Sequence, residues 1–499
     1  MPDHRDTMNH RVAKSVFWLV WSRGFIQLIS FGSTVVVARI LQPSDYGIMA
    51  LATIFTGILL LISEVGSGAT VMQFRDLSEG ELNLCFWFTF SLSLFSYGAL
   101  FIAAPFIADW FAVPALERVL RWLGLLMPIE AIHTVPDGLL CKRLEFEKVS
   151  RADVISTATA IPVVFSLAWA GYGVWALVGA SLVKSIVRSL VSLKFVRWWP
   201  GASLDTGRAR VLLHFSLGIF GSNVLWSVYE QSDSFILGKI AGEKTLGLFS
   251  MAKDLALLPV TRISAVVNQL MVPLMAELQA KPAEMGDYLL RVIRLVAGVV
   301  IPVSVGLALV AEDIVRVILT DKWLGTVPVL QVLCFSAVIK GIDNLLPPVL
   351  RARYRSNFLM LYNTTLLTVM PPAFVAGALW AEGMGVALAW VTVYPVVMCW
   401  MVWAVIRELE LQWGSVLRQL AAPAYAVLAM AAAVLTFKQF MPHMDVSNTW
   451  IQLCVEVALG AMAYGLGLLV FGRALISELW SIVLMVFRPG RNVVSSAEA

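Results

Sequence analysis

Apolar runs of 18 residues or more recur along nearly the whole chain, each long enough to cross about 30 Å of hydrocarbon as a helix. Only 14% of the residues are charged and 59% are hydrophobic, whereas a soluble domain carries about 25% charge. A water-facing surface cannot be built from such a chain, which reads as an all-α polytopic membrane protein. The first run, "SVFWLVWSRGFIQLISFGSTVVVA", is too long for a signal-peptide core. It also lacks a small-x-small cleavage site, so an uncleaved first span is expected.

Hydropathy and turn residues place about fourteen helices. Their cores lie near 15–39, 46–70, 84–108, 115–136, 152–170, 174–196, 211–237, 245–275, 290–311, 326–349, 357–379, 383–406, 419–437 and 449–471. The patch "LISELWSIVLMVF" at 475–487 is too short to span easily and is expected in the interface. The tail "RPGRNVVSSAEA" reads as disordered. If the loops alternate sides, one side collects about 24 of the 37 lysines and arginines, including Lys142, Arg143, Arg188, Arg208, Arg291, Arg294 and the "RARYR" cluster at 351–355. Both termini are therefore expected to be cytoplasmic.

One junction is written twice. "ARILQPSDYGIMALA" at 38–52 and "GKIAGEKTLGLFSMA" at 238–252 share Ile40 with Ile240, Gly47 with Gly247 and Ala52 with Ala252, and Arg39 recurs as Lys239. A weaker echo pairs "GYGV" at 171–174 with "GMGV" at 383–386. The expected organisation is an N-terminal lobe over 1–196 (spans one to six), a cytoplasmic linker over 197–210 and a C-terminal lobe over 211–406 (spans seven to twelve). Spans thirteen and fourteen follow over 407–471, and 472–499 holds the interfacial segment and tail. Six spans is an even number, so the two repeats are parallel, related by an axis along the membrane normal around a central cavity.

An ionisable group at mid-membrane costs roughly 2.5–3.5 kcal/mol on insertion scales, so each needs a reason. Arg23, Lys253, Arg262 and Lys340 are candidates for lining a wet cavity that holds an anionic substrate. Glu230, Asp233, Asp254 and Asp343 are candidates for carrying a coupling ion. Glu230 with Asp233, and Lys340 with Asp343, are spaced three apart and so share a helix face. The competing reading is that these groups pair with one another, snorkel to an interface or satisfy kinked backbone. Glu456 and His133 read as structural, and Arg39 and Lys239 as anchors of helix ends at the outer interface. Prolines 128, 162, 259, 302 and 395 fall inside spans, where each favours a kink.

Other chemistries lack their signatures. The cysteines at 85, 141, 334, 399 and 454 form neither a disulfide framework nor a metal spacing. G-x-x-x-x-G-K-[ST], H-E-x-x-H and G-x-S-x-G are absent, and no loop is long enough for a soluble catalytic domain. An enzyme is not expected.

Read with "SEVGSGATVMQF" (63–74) and "YEQSDSFILGKIAGEKTLGLFSMAKDL" (229–255), the doubled junction resembles the polysaccharide transporter branch of the multidrug/oligosaccharidyl-lipid/polysaccharide exporter superfamily, the Wzx-type flippases. The resemblance implies two six-helix lobes with two extra helices. It also implies a substrate, an oligosaccharide repeat unit on undecaprenyl diphosphate, turned from the cytoplasmic to the periplasmic leaflet for exopolysaccharide or lipopolysaccharide synthesis. Alternating access, coupling to Na+ or H+ and no covalently bound cofactor are further implications, and Asp233 falls where the branch carries an acid. The membrane implied is the bacterial inner membrane. Implied partners are membrane lipids, a polymerase and a chain-length regulator, with no nucleic acid.

Physics agrees with such a substrate, because two phosphates and several sugars cannot cross hydrocarbon unaided. A cation-coupled multidrug exporter of the same superfamily would favour acidic over cationic cavity residues and twelve helices. A lipid II flippase is disfavoured by the "ARILQPSDYG" motif. A membrane-embedded glycosyltransferase or polymerase needs a large external loop, which is lacking, and intramembrane charges on several helices argue against a passive scaffold.

Overall fold

The structure is a computed structural model that describes residues 29–30, 32–63, 68–74, 76–440, 449–473, 475–476 and 478. Arg23, residues 15–28 and 31 of the first expected span, most of the 475–487 patch and the tail lie outside the described residues. Among the described residues the regular structure is all helical, without a strand. After a helical stretch at 32–40 come α1 (Pro43–Ser63), α2 (Gly68–Gln73), α3 (Glu79–Phe111), α4 (Pro114–Leu123) and α5 (Leu126–Lys142). Then follow α6 (Phe146–Trp169), α7 (Val174–Val196), α8 (Ala209–Glu277), α9 (Pro282–Leu309), α10 (Val327–Asp343) and α11 (Leu346–Ala352). The series closes with α12 (Ser356–Glu408), α13 (Trp413–Phe440) and α14 (Thr449–Phe471).

Ten helices among the described residues are long and apolar enough to cross a membrane. Two of them, 57 and 53 residues long, contain a break, at Gly242 in α8 and at Ala381–Glu382 in α12. Each of these long helices therefore supplies two crossings, which keeps the count compatible with fourteen. Pro128 stands in the first turn of α5, where a missing N–H costs little, while Pro162, Pro259, Pro302 and Pro395 lie inside α6, α8, α9 and α12.

By internal contacts the chain forms two compact units, one of residues up to Ser250 with Phe374–Gly383, the other of Met251–Ala373 with Met384 onward. In the first unit α3 begins with a capping box. Ser78 Oγ accepts from Glu81 N at 3.2 Å, and Glu81 Oε2 accepts from Ser78 N at 2.8 Å. The 197–210 segment folds onto this helix start. Arg208 forks onto both Glu81 oxygens at 2.6 and 2.7 Å, Asn83 donates to Ser203 O, and Trp87 Nε1 donates to Gly201 O. The hydrogen bond that Arg208 donates to Glu81 is the main cause raising the Arg208 pKa above its usual value.

In the second unit α13 and α14 pack on each other and on α9. Glu456 is fully buried on α14 and meets Lys438 Nζ at 3.5 Å and Gln452 at 3.2 Å, both of which also hold Asp313. Leu475, the start of the 475–487 patch, is fully buried against Gly298 of α9, and Glu478 pairs with Arg291 and Arg294.

Backbone detail repeats across the two halves of the sequence. Arg143, Leu144 and Glu145 donate to the carbonyls of Leu139, Cys141 and Leu140; Arg353, Tyr354 and Arg355 donate to those of Val349, Arg351 and Leu350. The central residue is left-handed both times, with φ 58° at Leu144 and 57° at Tyr354. The second echo in the sequence needs a correction. Gly173 (φ 56°, ψ −129°) has its conformational match not in the second "GMGV" glycine, Gly385, but in Glu382 (φ 48°, ψ −127°). Letter identity there was three residues out of register with the backbone, because the second half adopts the turn without glycine.

Candidate functional site

The doubled junction breaks the helix both times. The helix ending at Ile40 restarts at Pro43, and α8 breaks at Gly242, whose φ of 79° interrupts the helix. In the first unit the two copies lie against each other. A Cβ on Gly47 would meet Glu243 O at 1.7 Å, and one on Gly247 would meet Pro43 O at 1.8 Å. Only glycine allows either approach, the small-residue packing that lets membrane helices come close. The contact continues down α1, where Leu51 lies against Gly238, Gln231 against Gly57, and Phe55 stacks edge-on with Phe235 at 6.1 Å.

Each copy also touches the later break of its own half. Asp45 Oδ1 accepts from Val174 N at 3.0 Å beside Gly173. Thr245, the residue matching Asp45, donates to Glu382 Oε2 at 3.3 Å. The carboxylate has changed sides between the repeats while the contact persists. Lys239 donates to Trp110 O and lies 4.8 Å from the Trp110 ring, consistent with an anchor at a helix end.

The second unit encloses a charged cluster at the end of α10. Lys340 Nζ sits 3.7 Å from the centre of the Trp390 ring. Asp343 is 5% exposed and accepts from Tyr394 at 2.7 Å and Tyr362 at 3.2 Å. Trp390 and Tyr394 meet ring to ring at 5.3 Å, so cation, carboxylate and three aromatic rings form one assembly. A cation on a desolvated ring face gains about 2 kcal/mol or more, and two phenols satisfy a carboxylate that burial would otherwise penalise. The assembly places one cation and one carboxylate three residues apart, each held by aromatic side chains.

The first unit carries a second cluster that spacing alone could not assemble. Arg188 bridges two carboxylates, Asp137 Oδ2 at 2.9 Å and Asp153 Oδ1 at 2.6 Å. Ser192 donates to Asp137 Oδ1 at 2.7 Å. Ser189 donates to Ile129 O at 2.8 Å, so at 3.0 Å its oxygen accepts from His133 Nδ1, and His133 Nε2 faces Asp137 Oδ2 at 4.0 Å. His133 stands as far before Leu144 as Asp343 stands before Tyr354, and Glu130 matches Lys340 in the same way. Each repeat thus carries a titratable pair at the same register, with the sign pattern changed. The lysine and arginine pattern alone marks Arg188 as a cytoplasmic cation; its acids lie up to 51 residues away, beyond any local motif.

The remaining expected residues are scattered. Asp233 is fully buried, its Oδ1 accepting from Ser234 N at 2.6 Å and Ser234 Oγ at 3.0 Å. Glu230, one turn earlier, is exposed, so the pair shares a face by spacing without sharing an environment. Lys253 is half-buried, while Asp254 and Arg262 are exposed on the protein surface.

The model of the family described as "Polysaccharide biosynthesis protein" matches residues 36–328, more than half of the chain. The succinoglycan biosynthesis transport protein ExoT of Rhizobium meliloti (strain 1021) is 25% identical over 472 residues, covering 94% of each chain. The lipopolysaccharide biosynthesis protein WzxC of Escherichia coli (strain K12) is 23% identical over 366 residues, 72% of this chain and 73% of its own. Among solved structures, the lipid II flippase MurJ in an inward closed conformation superposes with a TM-score of 0.75 at 14% identity, covering 92% of this chain and 99% of that one. An inward-facing multidrug resistance MATE family transporter of the MOP superfamily gives 0.61 at 15% identity, covering 77% and 96%. At those identities the structural likeness establishes the fold.

Proposed function

The chain belongs to the polysaccharide biosynthesis protein family, and from that membership we propose that it is a flippase for an undecaprenyl-diphosphate-linked oligosaccharide repeat unit. It is a multi-pass membrane transporter rather than an enzyme. In this reading it moves the repeat unit from the cytoplasmic to the periplasmic leaflet of a bacterial inner membrane, with both termini cytoplasmic. The observation that carries the reading is the contact of the two copied junctions through Gly47 and Gly247. Two like segments meeting around a local two-fold are what a path between parallel repeats requires at one end, and separating them opens that end. Lys340 would face the diphosphate-sugar head, and Asp343 would carry the coupling H+ or Na+. The pairing of Asp343 with two phenols supports that role, since a proton or cation bound there would compete with both hydrogen bonds.

The test is deletion of the gene, with the leaflet of the lipid-linked repeat unit read by a membrane-impermeant sugar-modifying reagent. A complete repeat unit trapped on the cytoplasmic leaflet is expected, released by the wild-type gene and not by Lys340→Gln. Unchanged lipid intermediates together with drug hypersensitivity would overturn the reading in favour of a multidrug exporter.

A further inference from the structure

The turn that both halves share carries different chemistry in each. In the first half it reads Arg143, Leu144, Glu145, and Glu145 pairs with Lys148 at 2.9 Å. In the second half the same backbone reads Arg353, Tyr354, Arg355. The left-handed Tyr354 turns its ring outward, 81% exposed, while both flanking arginines reach one carboxylate, Glu408, at 3.1 and 2.8 Å. The fold therefore does not require two arginines at this turn, since the first half makes it with one.

These arginines line a cavity of about 490 Å³. Arg407 and Glu410 complete its charged wall, and Phe358, Trp403 and Leu350 its apolar one. Three guanidiniums face two carboxylates. Glu408 is shared by two of the cations, each through its Nε, and Arg353 spends Nη1 on Gln279 O at 2.8 Å. Arg407 lies 5.4 Å from the Trp403 ring centre and, among the described residues, has no carboxylate partner. The cavity thus keeps donor groups on Arg355 and Arg407 in a fork geometry suited to phosphate oxygens. It lies at the ends of α11 and α12, in the charge-rich loops assigned to the cytoplasmic face.

We infer that this cavity binds the phosphate or diphosphate headgroup of a membrane lipid, through Arg355 and Arg407, with the lipid chain leaving along Trp403 and Phe358. The apolar wall distinguishes a lipid from free phosphate, which would gain nothing from the exposed Trp403 ring and the half-buried Phe358 ring. Glu408 sets the arginines in place and keeps the site's excess charge small, so a bound headgroup can leave. The site stands apart from the Lys340–Asp343 cluster and does not depend on the transport reading.

The full-length protein in phosphatidylcholine nanodiscs is titrated separately with phosphatidylglycerol, with geranylgeranyl diphosphate and with inorganic pyrophosphate, and adducts are counted by native mass spectrometry. Binding of at least one of the two lipids is expected. It should weaken at least tenfold in Arg407→Gln and in Arg355→Gln, and persist in Arg291→Gln, a cation outside the cavity. Gel filtration and helical circular dichroism identify any variant that has not folded; Trp403→Leu, which keeps every charge, then supplies an independent reading and should weaken lipid binding while leaving pyrophosphate unaffected. Equal lipid binding by wild type and the folded variants overturns the assignment, as does binding of pyrophosphate alone.

Discussion

Gly47 and Gly247 each lie against the carbonyl that stands four residues before the other: Gly47 against Glu243 O, Gly247 against Pro43 O. The two hypothetical Cβ contacts, 1.7 and 1.8 Å, are almost the same, so the crossing is locally two-fold and neither glycine is privileged. A methyl group at either position must move backbone, since no flexible side chain is there to yield. Overpacking of this kind costs about 1–3 kcal/mol. Gly47→Ala and Gly247→Ala should therefore impair transport to a similar degree, at least tenfold, with protein still present in the membrane. Transport assays at matched expression check this, and a large asymmetry between the two variants would contradict the two-fold crossing.

Glu382 makes the opposite prediction. It holds φ 48° and ψ −127°, a region that residues with a Cβ rarely adopt, where the first half places Gly173. Its hydroxyl contact from Thr245 is long and exposed. Relief of a strained φ is worth about 1 kcal/mol or more, so Glu382→Gly should raise the thermal midpoint in detergent, and Gly173→Glu should lower it. A fall in midpoint for Glu382→Gly would mean that the Thr245 contact outweighs the strain.

Much of this architecture was legible in the sequence because lipid enforces it. Long apolar runs and the lysine and arginine pattern follow from solvation alone, and the first echo of the repeat was visible since glycines 47 and 247 cannot vary without a clash. The second echo misled because conformation was kept while the letter changed: a glycine in one half, a glutamate in the other. Lys340 and Asp343 could be picked out as charges in an apolar run, but not the rings around them, since Tyr362, Trp390 and Tyr394 sit in a different helix. The Arg188 network was hidden for the same reason.

Asp343 offers a test that separates packing from coupling. Tyr394 donates at 2.7 Å and Tyr362 at 3.2 Å, both to a carboxylate that is almost wholly buried. A hydrogen bond to a charged group contributes about 1.5–3 kcal/mol. Tyr394→Phe should lower stability by roughly that amount and Tyr362→Phe by less, as read from thermal unfolding. Asp343→Asn keeps an acceptor for a phenol and removes the charge. It should leave the midpoint within a few degrees of wild type and, under the coupling role proposed for Asp343, abolish the response of transport to an imposed H+ or Na+ gradient. A gradient response that survives in Asp343→Asn would remove Asp343 from coupling.

Arg188 decides whether the first-unit network is held by charge balance or by shape. Its guanidinium spans Asp137 and Asp153, with side-chain exposures of 28%, 16% and 35%, so the three are shielded but not dry. Removing the cation alone takes the guanidinium from both carboxylates and leaves Asp137 with Ser192 and, at 4.0 Å, His133. Breaking a fully buried pair costs about 3–5 kcal/mol; partial exposure here reduces that to about 1–3 kcal/mol. Removing Asp137 as well takes away the more buried of the stranded acids. Arg188→Met should thus destabilise more than Arg188→Met combined with Asp137→Leu, because an uncompensated charge costs more than an absent pair. A double-mutant cycle on thermal midpoints measures the difference directly. If the double variant is the less stable, the network holds its helices together by packing of the arginine stem rather than by neutralising the acids.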